Sequence, residues 1–296
     1  MTERAAPSSL WTRLMRHPGF LLLPGFGIVA LAPLISGTIS GFLRAAWGRS
    51  DALSLLSAVL VAALSVLAYW VFVRFVEKRP FTDFTLPGAA REWGFGALVG
   101  FGLMTAVVGV IAAGGGYAVE GTHPVKVLVP VFAMALGSGV VEEVMVRGVI
   151  FRLLEAWLGS WAAIALSAAF FGLAHIANPN ASLWAAIAIA LEAGILLGAV
   201  YMVTRRLWAA IGLHMAWNFT QTGLYGVAVS GLSMDGLIDA RISGPEWLTG
   251  GAFGAEASVP ATLLCTMVGL WFLWRAYKTG QVLPPRRIAL REAVEG

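Results

Sequence analysis

The sequence predicts an all-α polytopic membrane protein with about eight transmembrane helices. Three observations carry this reading. Of 296 residues, 58% are apolar or aromatic and only 12% are charged; the mean hydropathy is +0.80; and apolar segments of spanning length recur along the chain. Soluble domains carry about 25% charged residues, so 20 basic and 16 acidic side chains are too few to cover a soluble surface. The same figures exclude intrinsic disorder and collagen-like or coiled-coil fibres. Strand-like alternation is absent, which argues against a β-barrel.

A spanning helix needs about 20 mainly apolar residues. That window gives Phe20–Leu43, Leu53–Phe75, Trp93–Ala113, Val127–Leu153, Trp161–Ala177, Leu183–Thr204, Leu207–Val229 and Val259–Tyr277. The first apolar stretch follows Arg4, Arg13 and Arg16 but is longer than a roughly 7–15-residue signal-peptide core, so it reads as a span. Pro24 and Pro33 predict that it is kinked or broken, which buried packing tolerates. Residues 1–19 read as a cytoplasmic N-terminal segment, 20–277 as the transmembrane bundle and 278–296 as a flexible cytoplasmic tail.

Counting basic residues on alternate sides puts 16 on one side and 4 on the other, and the positive-inside rule then places both termini in the cytoplasm. Trp47, Trp93, Trp157, Trp161, Trp184 and Trp208 fall near span ends, where indole rings favour the headgroup level. The acidic stretch Ser230–Ser258 reads as an outer loop. A single cysteine, Cys265, permits no intrachain disulfide and no cysteine-based metal site. The net charge of +4 is dispersed between apolar segments, so nucleic acid is not an expected partner; membrane lipids are.

Ionisable groups inside spans cost about 2.5–3.5 kcal/mol each on insertion scales, so those present at depth call for a reason. They gather in the second half of the chain: Glu142, Glu143 and Arg147, then His175, then Glu192, then His214 with Asn218. Glu143 and Arg147 stand at i,i+4 with the acid N-terminal, the favourable orientation for self-neutralisation. Glu142 lies about 100° around the helix from Glu143, without a local cation. A lone carboxylate in a low-dielectric cavity is the kind of group that general-base chemistry uses. Phe171 and His175, like His214 and Asn218, are four apart and share helix faces. Imidazole and carboxamide donors suit an oxyanion, and Glu142 with one histidine could hold and deprotonate a water. Taken singly, each group has a structural reading: a helix–helix tie for Glu143 and Arg147, interhelical glue for Asn218, packing for Phe171 and cavity lining for Glu192. Two acids, two histidines and an amide on neighbouring spans are poorly explained as independent accidents.

On these residues the chain resembles the CPBP family, the CAAX proteases and bacteriocin-processing enzymes also called Abi proteins. The family pattern EExxxR, FxxxH and HxxxN stands here as Glu142-Glu143-Val-Met-Val-Arg147, Phe171-Gly-Leu-Ala-His175 and His214-Met-Ala-Trp-Asn218, in order within 77 residues. The resemblance covers roughly Pro124–Gly231. It implies an intramembrane glutamic-type endopeptidase with no metal or cofactor. Glu142 would be the general base, His175 would help activate the water, and His214 with Asn218 would form the oxyanion hole. Glu143, Arg147 and Phe171 would support the site. Eukaryotic relatives trim the last three residues from prenylated CAAX proteins, whereas bacterial relatives act on other peptides, including in bacteriocin maturation and self-immunity. The expected partner is a peptide or protein substrate, lipid-modified or not, and the short chain implies a bacterial cytoplasmic-membrane member.

Three rivals stand beside this reading. A zinc metalloprotease favours HExxH-like spacing, which is absent. A transporter or proton relay predicts inverted repeats or broken helices in both halves, whereas the polar groups occupy only one half; a non-catalytic immunity protein predicts no cleavage. Simple alternation also puts His175 near the outer end of its span but His214 within about two turns of the inner end. The site therefore requires a short or displaced fifth helix, with Asn178-Pro179-Asn180 beside a hydrated cavity, and separations of no more than about 12 Å.

Overall fold

The structure, a computed structural model, describes residues 15–286. Most of the expected N-terminal segment and the distal tail, residues 1–14 and 287–296, lie outside the described residues. Nine helices are named here: α1 (Pro18–Trp47), α2 (Asp51–Glu77), α3 (Ala89–Ala113), α4 (Val125–Leu158), α5 (Ser160–Ala177), α6 (Leu183–Thr204), α7 (Trp208–Asn218), the single turn α8 (Glu246–Thr249) and α9 (Val259–Lys278). Seven of them are long and apolar enough to cross a membrane. The segment read as the seventh span, over 207–229, is shorter than expected. It is helical over α7, continues as a π-helical turn Phe219–Leu224, and reverses at Gly226. Gly226 has φ +65°, and a Cβ there would lie 2.2 Å from the Ile238 carbonyl oxygen. Pro24 and Pro33 do not break α1, which runs as one 30-residue helix.

Helix starts follow local chemistry. The hydroxyls of Ser50, Ser182 and Ser258 accept from the backbone N–H groups of Leu53, Ala185 and Ala261, so they cap α2, α6 and α9. Among the described residues the sheet content is one antiparallel ribbon, β1 (Tyr117–Thr122) against β2 (Ile238–Ile242), with Tyr117 opposite Ile242. Its strands are too short for an alternation that stands out in a sequence dominated by spans.

The opposite end of the bundle from this ribbon is bound by arginines. Arg152 on α4 makes a bidentate pair with Glu77 on α2 at 2.8 and 2.6 Å. Arg205 reaches Glu155 at 2.5 Å, and Arg206 reaches Glu92 at 2.8 Å. Within the bundle, α6 is the central helix: 67% of its apolar window is buried, against 28% for α1 and for α2. The closest helix approach is between α3 and α7. A Cβ on Gly96 would fall 2.0 Å from the Ala209 carbonyl oxygen, and one on Gly100 2.3 Å from that of Leu213. This is the small-xxx-small packing on which lipid-embedded helices rely in place of a hydrophobic drive.

The Ser230–Ser258 segment does not simply project from the ribbon end. Its second half folds back: Ala255, Glu256 and Ala257 are buried, and Trp184 at the start of α6 donates to the Ala257 carbonyl at 2.7 Å.

Candidate active site

The site is assembled by one hairpin and one close approach. Helices α4 and α5 reverse at Gly159, whose φ of +81° supplies the turn. Glu142 lies 16 residues before Leu158 and His175 lies 15 after Ser160, so an antiparallel pair brings them to one level. Gly139, one turn before Glu143, has no side chain to hold α7 away; a Cβ there would come 2.6 Å from Met215 Cγ. His214, next to Met215, is thereby seated against both glutamates.

The two acids have different surroundings. Glu143 is completely buried, and its Oε1 accepts from Arg147 Nη1 at 3.0 Å and from His214 Nδ1 at 2.9 Å. Arg147, 1% exposed, also donates to the Ala193 and Gly194 carbonyls at 3.0 and 3.3 Å. Those carbonyls belong to a π-helical turn, Ala190–Gly194, where the hydrogen-bond ladder of α6 is offset. Arg147 also lies over the Phe171 ring, 4.7 Å from its centroid. The Glu143–Arg147 pair thus ties α4, α6 and α7 into one unit.

Glu142 has a 33%-exposed side chain that faces a cleft of about 280 Å³ lined by α1, α4 and α5. Its Oε2 lies 4.0 Å from His175 Nε2 and 3.9 Å from His214 Nε2. Both histidines use their other nitrogen: His175 Nδ1 donates to the Phe171 carbonyl at 2.7 Å, and His214 Nδ1 faces Glu143. Since a carbonyl and a carboxylate only accept, each Nδ1 carries the proton and each Nε2 is aimed at Glu142. A separation near 4 Å is too long for a direct hydrogen bond and is the spacing that a small bridging molecule spans. The Phe171 ring packs against both imidazoles, with centroids 4.8 and 6.1 Å away.

Asn218 donates to Ser138 Oγ on α4 at 3.0 Å, which leaves its second amide hydrogen free. It lines a small pocket of about 30 Å³ together with Phe171, His175 and His214. Glu142, Glu143, Arg147, Phe171, His175, His214 and Asn218 therefore meet in one region, and the fifth span is short enough to allow it. Asn178 lines the cleft beside Glu142, as the placement of the Asn178-Pro179-Asn180 stretch required.

Residues 124–220 match a family model described as Rce1-like, type II CAAX prenyl endopeptidase. This segment is similar to that family. The match covers about a third of the chain and contains every motif residue named above, so it agrees with the CPBP resemblance read from those motifs. It supports a CAAX-protease-like intramembrane endopeptidase, and with the spanning helices it makes the chain an integral membrane protein. No curated protein and no solved structure matches the chain.

Outside the Rce1-like motifs, the same small pocket is lined by Glu192, Ser230, Glu256 and Cys265. Glu256 is 1% exposed and accepts from both the backbone N–H and the hydroxyl of Ser230 at 2.6 Å. Burial pushes its carboxyl above the ordinary range, against the opposing pull of those Ser230 bonds. Its position was invisible in the sequence because an acid in a loop of mixed polarity reads as solvated. Among the described residues, no three His, Cys, Asp or Glu side chains are disposed to hold a metal ion.

Proposed function

We propose that this chain is a glutamic-type intramembrane endopeptidase. The observation that carries the reading is the convergence of two imidazole Nε2 atoms on one Glu142 oxygen, with both Nδ1 atoms already engaged. Two acceptors 4.0 Å apart, Glu142 Oε2 and a neutral His175 Nε2, suit a water that donates to both, which raises the electron density on its oxygen. Glu142 takes one proton as the oxygen adds to the peptide carbonyl carbon. His214 and the free Asn218 amide hydrogen face the oxyanion that forms. For His214 to donate from both nitrogens it must be an imidazolium, balanced by Glu143. The C–N bond then breaks as Glu142 returns its proton to the leaving nitrogen, giving a carboxylic acid and an amine.

In this reading Glu143, Arg147 and Phe171 position the reacting groups without touching substrate. The arginine-rich end faces the cytoplasm with both termini, by the positive-inside rule, and the membrane is the bacterial cytoplasmic one. The test is a cleavage assay over a peptide library, prenylated and plain, with wild type, Glu142→Gln and His175→Ala, each with and without EDTA. Cleavage that survives Glu142→Gln rejects the assigned base, and loss of wild-type cleavage in EDTA transfers the reading to a metalloprotease.

A further inference from the structure

Two grooves flank α4, and they differ in chemistry. One, about 850 Å³, lies between α2, α4 and α7 and is walled by Val66, Trp70, Phe84, Trp208 and other apolar side chains. The other, about 420 Å³, lies between α1, α2 and α4 and is walled by Ser36, Gly37, Ser40, Ser57, Met134 and Gly137. Pro130, Ala133, Met134 and Gly137 of this second groove continue at helical spacing into Val141, Glu142 and Met145, which line the cleft at the reacting carboxylate. On α1, Phe26 of that cleft and Pro33 and Ser40 of the groove are seven apart, so they share a face as well. The stripe thus runs from the ribbon end of the bundle to Glu142.

The polarity of the wall decides what it can hold. An extended peptide in hydrocarbon leaves its N–H and C=O groups without partners, whereas a helix or a lipid tail does not. A protease must unwind its substrate, so the path to Glu142 needs hydroxyls and open backbone. Ser40 supplies such a group: it is 5% exposed, and its Oγ has no hydrogen-bond partner. The all-apolar trough supplies none. From Pro130 to Glu142 is 12 residues of helix, about 18 Å, which is the length of about five extended residues.

Resting on the hydrolytic reading above, we propose that the α1–α4 groove receives the substrate as an extended peptide segment of about five residues. It lies along Ser36, Ser40 and Gly137, and an apolar side chain next to the scissile bond fills the space between Val141, Met145 and Phe170. A peptide that enters from the ribbon end passes Asp51, Lys126 and Asp235, which form a polar mouth at the outer end of this stripe.

The experiment uses the full chain in lipid nanodiscs, carrying Glu142→Gln so that binding does not depend on turnover. The probe is a synthetic apolar peptide of spanning length with diazirine residues, and the crosslinked positions are mapped by mass spectrometry. Labels on 36–40 and 134–141 are expected, and they disappear in Gly37→Trp, where nothing lies within 4 Å of an added Cβ. They persist in Leu67→Trp on the apolar trough. Labels confined to the trough, or unaffected by Gly37→Trp, overturn the proposal. Groove labelling with no cleavage by wild type removes the hydrolytic reading but keeps a peptide groove. Cleavage with labelling elsewhere removes the groove but keeps the protease.

Discussion

Two side chains at consecutive positions do opposite things here, and the difference is geometric. Glu143 is buried and neutralised by Arg147 and His214, while Glu142 is turned by one residue toward the cleft. Replacing Glu142 by Gln keeps the shape and removes the base, so peptide turnover should fall by about 10²–10⁴-fold, the usual worth of a positioned acid–base group. Asn218→Ala should cost about 10²–10³ in kcat, as for an oxyanion donor, with little change in KM. Equal losses in kcat for Glu142→Gln and a surface control would remove this assignment. Arg147→Ala is a different kind of change. It removes one of the two partners of the buried Glu143 and leaves His214 alone to balance it; breaking such a buried pair costs up to about 3–5 kcal/mol and should lower the thermal midpoint in detergent. Glu142→Gln should not.

Among the helices, glycine sets the distances that the site needs. Gly139 lets α7 come against α4 at Met215, and Gly96 and Gly100 let α3 press α7 from the other side. Gly100→Leu pushes a side chain into the Leu213 backbone, next to His214, so overpacking of about 1–3 kcal/mol is expected. Its signature should be a fall in kcat together with a reduced thermal midpoint. Gly37→Ala, with open space around its Cα, is the matched control and should leave the midpoint unchanged. If Gly100→Leu melts like wild type, the close contact of α3 and α7 is not what holds His214 in place. The π-helical turn over Ala190–Gly194 has a comparable role, because its carbonyls anchor Arg147.

At the scale of the whole molecule, the returning segment that ends at Glu256 closes the small pocket beside the histidines. Burial, partly offset by the Ser230 hydrogen bonds, raises the Glu256 carboxyl above its ordinary value. A carboxyl raised on folding favours the neutral form, so its contribution is fully present below its unfolded pKa and is lost as pH rises through the folded one. The thermal midpoint should therefore decline as pH rises above the ordinary carboxylate range, and Glu256→Gln should flatten that decline. Parallel pH profiles for wild type and variant, followed by tryptophan fluorescence in detergent, would show that the closure does not depend on this proton.

The sequence by itself determined the class of the protein and the chemical vocabulary of its site. Hydropathy is a sum over about 20 consecutive residues, so spans are legible without any tertiary information, and costly polar groups stand out against them. The i,i+4 spacings of Glu143 with Arg147 and of His214 with Asn218 were legible for the same reason: helix geometry is local. Tertiary structure decided what depends on residues far apart in the chain. It set the meeting of His175 and His214 at Glu142, the shortening of the seventh span at Gly226, and the burial of Glu256. It also separated the serine-lined groove from the apolar trough. Each of these depends on contacts between residues distant in the chain, such as Gly139 against Met215 and Gly226 against the Ile238 carbonyl, which local spacing does not name.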